Sequence, residues 1–211
     1  MPKVGMEPVR RKALVEATIH EIGRAGTLDV TVSQIAKRAG MSSALAHHYF
    51  GGKTQIFMAA MRHILSQYGV EVRRRLKKAK SPEERLRALI DANFAPSNFR
   101  EEVISAWMNF YVLAQNEEEA RRLLNVYYRR LHTNLLHELR PLMGEGAPEA
   151  ARRLEALIDG VYLRQSLRQD RPDPELASTL VLGCLEMELA RAGALEPAAR
   201  IYQFTKKEPS E

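Results

Sequence analysis

The sequence contains one cysteine, Cys184, among 211 residues. A single thiol excludes an intramolecular disulfide framework and fits a reducing compartment. It lies in the apolar run ASTLVLGCLEM, where a buried, inert thiol is expected rather than a reactive one. No apolar run approaches the ~18–20 residues that a membrane-spanning helix needs. The opening MPKVGMEPVRRK lacks the apolar core of a secretory signal, so a cytoplasmic location without a membrane partner is expected. G-x-S-x-G, a Gly-rich phosphate loop, H-E-x-x-H and paired cysteines are all missing. Those absences remove the recognisable nucleophile, phosphate cradle and metal site, and the expectation is a non-enzyme without a cofactor. No stretch alternates long enough to suggest a sheet, and neither a repeat nor a low-complexity segment occurs.

Hydrophobic residues make up 45% of the chain and charged ones 27%, ample for a core and normal for a soluble protein. The length allows one large domain or two small ones. Charge is unevenly placed. Lysine and arginine outnumber acids by 15 to 5 over residues 1–80, whereas acids lead by 21 to 17 over 81–211. A basic N-terminal third on a mildly acidic remainder fits a polyanion-binding module joined to something else, though basic surfaces also occur as solvated faces.

The most informative stretch is 31–53, TVSQIAKRAGMSSALAHHYFGGK. Thr31 and Gln34 have the spacing of a capping box, which satisfies the first orphan N–H groups of a helix. Ile35 and Ala36 supply its apolar face, and Gly40 ends it in the left-handed conformation that glycine tolerates. Ser42 or Ser43 can cap a second helix, 44–50, stopped by Gly51-Gly52. Two short helices joined at a glycine form either a helix-turn-helix or an ordinary helical hairpin. In the DNA-binding version the second helix enters the major groove.

Around it, 9–25 reads as a helix with Val15, Ile19 and Ile22 on one face, ended by Gly26. Arg10, Arg11 and Lys12 sit where the helix dipole is already positive, which makes sense if they face phosphates and is otherwise a solvated basic end. Lys53 adds a cation at the start of a long helix, 54–78, where free N–H groups also suit a phosphate. The rest reads as helix throughout. Ser81-Pro82-Glu83-Glu84 opens one to about 95, Asn98 with Glu101 opens the next, and Asn116 with Glu119 opens a third that stops before Pro141. Further helices are expected at 149–169 and 175–191, with a frayed tail. The fold class is therefore all-α.

The order helix, T-x-x-x-I-A-x-x-A-G, short helix, Y-F-x-x-K, long helix resembles the N-terminal domain of TetR-family regulators. Thr31, Ile35, Ala36, Ala39, Gly40, Tyr49, Phe50 and Lys53 carry it, and it covers about residues 9–56. Ala44-Leu45-Ala46-His47 departs from the family's frequent Gly-x-Leu-Tyr, which leaves the operator sequence open. PKVGM followed by RR, SxxxxxHYFGGK, Asn93-Phe94, Ala106-Trp107 with Phe110, and ALIDGVYLR at 156–164 resemble the family's choline-responsive repressors.

The resemblance implies a helix-turn-helix DNA-binding domain at 1–53 and a helical effector-binding and dimerisation domain at 54–211. It implies a homodimer on double-stranded operator DNA, repressing glycine-betaine synthesis genes in response to a small-molecule effector, choline. The expected DNA contacts are Arg11, Thr31, Ser42, Ser43, Ala44, Leu45, His47, His48, Tyr49 and Lys53. Serine and histidine can bond phosphates or base edges, and Leu45 can meet a thymine methyl. Adjacent His47 and His48 diverge around a helix and no further ligand is spaced to join them, so no metal is expected.

Choline carries a quaternary ammonium with no N–H to donate, so aromatic faces are its natural partners. Trp107 and Tyr111 share a helix face with Phe110 beside them, and Phe94, Tyr127, Tyr128 and Tyr162 can complete a cage. Asp159 or Asp91 can supply the counter-charge, and Asn93 or Asn109 the hydroxyl contact. These aromatics can equally be core. The competing readings are a TetR-type regulator answering another cationic or apolar molecule, and a sequence-independent DNA-coating protein.

Overall fold

The computed structural model describes residues 5–167 and 170–194. Among them the chain forms nine α-helices, one 3-10 turn and no strand. They are α1 (Met6–Ala25), α2 (Val32–Arg38), α3 (Ser43–Phe50), α4 (Lys53–Leu76) and α5 (Pro82–Asn93). Then follow α6 (Glu101–Asn116), α7 (Glu118–Met143), the turn Gly144–Gly146, α8 (Ala147–Ser166) and α9 (Pro174–Arg191).

The apolar stripe of α1 buries Leu14, Val15, Ile19 and Ile22. That stripe packs on α4 and α6, while α2 and α3 pack on each other beside it. Helix α4 belongs to both ends of the molecule, meeting α1 near its start and α5 further along. The body is α5 to α9, with α7 packed on α5, α6 and α8, and α9 laid against α8 and α5. One contiguous core runs from Ile35 of α2 through Phe57 and Met61 of α4 to Leu131 of α7 and Leu185 of α9. Each such side chain contributes about 1.5–3 kcal/mol of transfer free energy.

Ser81 caps α5 as its spacing predicts, accepting from Glu84 N at 3.1 Å. The two asparagine caps do not form. Asn98 is buried and its amide donates to the Ala92 carbonyl at 2.9 Å, closing the end of α5 instead. Helix α6 starts at Glu101 without a side-chain cap, with Glu101 and Glu102 complementing its dipole. Asn116 is the last residue of α6, and α7 begins at Glu118. Pro141 does not stop α7. Its missing N–H frees only the His137 carbonyl, on an exposed turn that water can serve. Helix α8 starts two residues earlier than expected and ends at Ser166; the expected frayed tail and the Lys3 arm lie outside the described residues.

Candidate functional site

The reading head is assembled by local bonds. Thr31 Oγ1 accepts from Gln34 N at 3.1 Å, and Gln34 Oε1 accepts from Thr31 N at 2.7 Å, completing the capping box. Gly40 takes φ 67°, and Met41 N closes the turn on the Ala36 carbonyl at 2.9 Å. Ser42, rather than Ser43, caps α3, accepting from Leu45 N at 3.2 Å. Gly51, at φ 81°, ends it with its N–H on the His47 carbonyl at 2.7 Å.

These bonds orient α3. Ala46 is fully buried, and a side chain of one carbon lets the helix lie close to the core. Ala44, His47 and His48 share the exposed face, with Ser43, Leu45 and Tyr49 at its margins. His47 Nδ1 sits 2.9 Å from the Gly51 carbonyl, so its Nε2 is the outward nitrogen. The expected contacts of α3 therefore do fall on one outward face.

Arg11 is placed differently from a free phosphate contact. Its Nη1 donates to the Tyr49 carbonyl at 2.7 Å and its Nε to Glu7 at 2.7 Å, with the guanidinium over the Tyr49 and Phe50 rings. It ties α1 to the negative end of α3, a positioning contact. Lys53 lies 3.9 Å from exposed Asp29 and stays half exposed. Behind the helix pair, buried Glu21 of α1 is held by Arg38 of α2 and Arg24. The Arg38 hydrogen bond in particular keeps its carboxyl below the usual range despite burial.

The second site lies in the body. Trp107 of α6 is the hub of an aromatic cluster, with ring centroids 4.9 Å from Tyr127, 5.7 Å from Tyr111, 5.8 Å from Phe110 and 6.5 Å from Tyr162. Asp159 of α8 stands beside it. Its carboxylate accepts from the Tyr111 hydroxyl at 3.1 Å and the Tyr128 hydroxyl at 3.0 Å. Desolvation raises its pKa, and the two tyrosine bonds only partly offset that. A half-buried carboxylate held by two tyrosine hydroxyls beside a cluster of aromatic rings has the chemistry to attract a cation without hydrogen-bond donors.

Not every expected residue faces this hub. Phe94 packs edge-on against Phe99 and beside Tyr162, forming the outer wall. Phe110 is fully buried between Trp107 and Phe57 of α4, a link more than a lining. Asp91 takes the Ser178 hydroxyl and lies 3.6 Å from Arg75, away from the rings. Asn109 donates to the carbonyls of Gly26 at 3.3 Å and Ser105 at 2.9 Å, facing α1. Tyr68 of α4 escaped the sequence reading, yet its ring meets Tyr127 edge-on at 5.8 Å. The signal was there: Met61, Ile64, Tyr68 and Val72 continue one helical stripe.

Two grooves approach the cluster. One of about 630 Å³, between α1, α6 and the end of α8, reaches Tyr111. Another of about 640 Å³, between α4 and α7, reaches Tyr68 and Tyr127. Separately, α9 buries Ala177, Val181 and Leu185 on one side while leaving Leu176, Leu180 and Met187 exposed on the other. Leu163 of α8 and Leu167, just after that helix, extend the exposed stripe, at 51% and 76% exposure, and a Cβ on Gly160 would meet nothing within 4 Å. A helix apolar all round is normally covered on both sides.

A helix-turn-helix head on a helical body that holds an aromatic cluster beside a carboxylate fits a transcriptional regulator with an effector-binding body. Comparison with known proteins agrees at both ends of the chain. Residues 14–60 match the model of bacterial regulatory proteins of the tetR family, and residues 82–190 match the C-terminal model of BetI-type transcriptional repressors. The HTH-type transcriptional regulator BetI of Brucella anthropi is 47% identical over 190 residues, covering 90% of this chain and 98% of the relative. That of Rhizobium meliloti is 51% identical over 169 residues, covering 80% and 83%. A Saccharomonospora viridis protein solved in complex with choline shares the fold, with a TM-score of 0.73 at 24% identity over 83% of this chain and 95% of that one. The chain belongs to the BetI-type transcriptional repressors of the TetR family.

Proposed function

We propose that the chain represses glycine-betaine synthesis genes as a homodimer on operator DNA, and that choline binds at Trp107. The observation that carries the effector reading is the Trp107 hub beside Asp159, whose carboxylate is held by Tyr111 and Tyr128. Trp107, Tyr111, Tyr127 and Tyr162 supply ring faces, Asp159 supplies the counter-charge, and Phe94 and Phe110 hold the walls. Each aromatic face contributes about 0.5–2 kcal/mol toward a desolvated quaternary ammonium. The neighbour in complex with choline and the relatives named BetI support the same effector.

Residues 1–53 form the reading unit, with the face of Ser42, Ser43, Ala44, Leu45, His47 and His48 in the major groove and Tyr49 and Lys53 at the phosphates. Thr31 and Arg11 set the pose of that face. Residues 54–211 bind the effector and dimerise through the exposed stripe of α8 and α9. Two-fold pairing puts two α3 helices ~34–36 Å apart on a palindromic site.

The aromatic cluster connects to the head by two routes. On α6, Trp107 and Tyr111 face the cluster while Asn109 and Ser105 bond the end of α1. On α4, Phe57 packs on Phe110. Seating a cation parts Trp107 from Tyr127 and moves α6 against α1. Such coupling is typically ~1–3 kcal/mol and is reciprocal, so operator DNA weakens choline by the same factor. Calorimetric titration of choline into the wild-type chain and Trp107→Ala tests this. Binding should be lost or weakened in the variant with apo operator affinity intact; no heat at millimolar choline with the wild type would sink the effector reading.

A further inference from the structure

Two buried side-chain polar atoms have no hydrogen-bond partner among the described residues: His20 Nδ1 and the Tyr68 hydroxyl. The second stands in the aromatic cluster, and the neighbouring hydroxyls are all engaged. Tyr111 and Tyr128 donate to Asp159, Tyr162 to the Asn93 carbonyl at 2.6 Å, and Tyr127 to Asn93 Oδ1 at 3.3 Å. The Asn93 side chain, which donates to the Leu89 carbonyl at 2.9 Å, is the polar group near the Tyr68 hydroxyl, but no bond of good geometry joins them. Burial pushes the Tyr68 pKa well above its ordinary value, the nearby Asn93 side chain offsetting this only in part, so the hydroxyl keeps its proton. A buried hydroxyl left unpaired is unfavourable, and a ligand group that pairs with it removes that cost.

A hydroxyalkyl quaternary ammonium has one hydrogen-bonding group, its hydroxyl. Its cationic end belongs with Asp159 and the rings around Trp107. We propose that Tyr68 pairs with the hydroxyl end, making it the residue that distinguishes a hydroxyalkyl ammonium from an alkyl one and that ties the bound effector to α4. This rests on the cluster being the effector site. The position suits the role. Tyr68 lines the groove between α4 and α7, which connects its ring and that of Tyr127 to solvent. It sits 15 residues into α4, counted from Lys53, or about 22 Å along a helix that begins where α3 ends. A bond made only when the site is occupied is the differential contact that a shift in conformation requires.

The test compares choline with n-propyltrimethylammonium, in which a methyl replaces the hydroxyl, by calorimetry on the wild-type chain and on Tyr68→Phe. The wild type should prefer choline about tenfold, the size expected for one hydrogen bond made in a buried site. Tyr68→Phe keeps the ring, and should bind both compounds within about twofold of each other. Equal binding of both compounds by the wild type, or an unchanged preference in Tyr68→Phe, overturns the role of Tyr68 while leaving the effector site standing. Failure of the wild type to bind either compound overturns the site and this inference with it.

Discussion

Asp159 concentrates the chemistry of the body in one carboxylate. Its pKa is raised above the ordinary 3.8, chiefly by desolvation, so its ionised form is disfavoured in the folded chain relative to the unfolded one. That penalty is fully present at neutral pH and disappears as pH falls through the raised pKa. Asp159→Asn should therefore raise the melting temperature of the apo-chain at pH 7, read by thermal denaturation. The same substitution should weaken choline about tenfold or more, because the counter-charge is gone. Wild-type affinity should fall as pH drops through the raised pKa, with Glu155 one turn away, its own pKa raised chiefly by desolvation, contributing at the acidic end. An affinity for choline flat from pH 7 to pH 4 would remove Asp159 from the site. On the head, buried Glu21 has a lowered pKa, so its contribution is present above 4.5 and is lost as pH falls through the folded value. Glu21→Gln should cost about 1–3 kcal/mol in urea unfolding, since Arg38 loses its ionised partner but stays partly solvated.

At the scale of elements, α1 and α6 approach closely at Gly23. A Cβ on Gly23 would lie 2.5 Å from the Glu102 side chain and 2.6 Å from its Cα, so this contact exists only because residue 23 is glycine. Gly23→Ala must push backbone against backbone. It should destabilise the chain by about 1–3 kcal/mol in denaturant unfolding. It should also change how strongly choline and operator antagonise each other, because α6 bears both Trp107 and the contacts to α1. What could be read in advance differs from element to element. The capping box of Thr31 and Gln34 and the cap of Ser81 are local, and spacing alone reveals them. Asn98 and Asn116 carry the same local pattern and fail, Asn98 because a buried bond to Ala92 competes for its amide. The bond of Arg11 to the Tyr49 carbonyl joins residues 38 apart, so no local spacing reveals it.

For the whole molecule, the exposed stripe of Leu163, Leu167, Leu176, Leu180 and Met187 is the face proposed above to pair with a second chain. Leu180→Glu should yield a monomer by sedimentation, with the head still folded. Operator affinity should fall by at least ~100-fold, the loss expected when two half-sites are no longer bound together. A dimer that survives this change would move the interface elsewhere.

The sequence by itself determined the all-α class, the helix-turn-helix and its outward face, because caps, glycine stops and helical periodicity act over three or four residues. It also offered Trp107, its aromatic neighbours and an acid as the residues suited to a cation. Only tertiary structure decided which of these meet. Asp159 joins the rings because α7 and α8 bring Tyr128 and Asp159 together across the body, while Asp91 is drawn to Ser178 and Arg75. Tyr68 enters the cluster because α4 crosses α7, a contact between residues far apart in the chain that no local pattern specifies. Packing across long separations assembled the site.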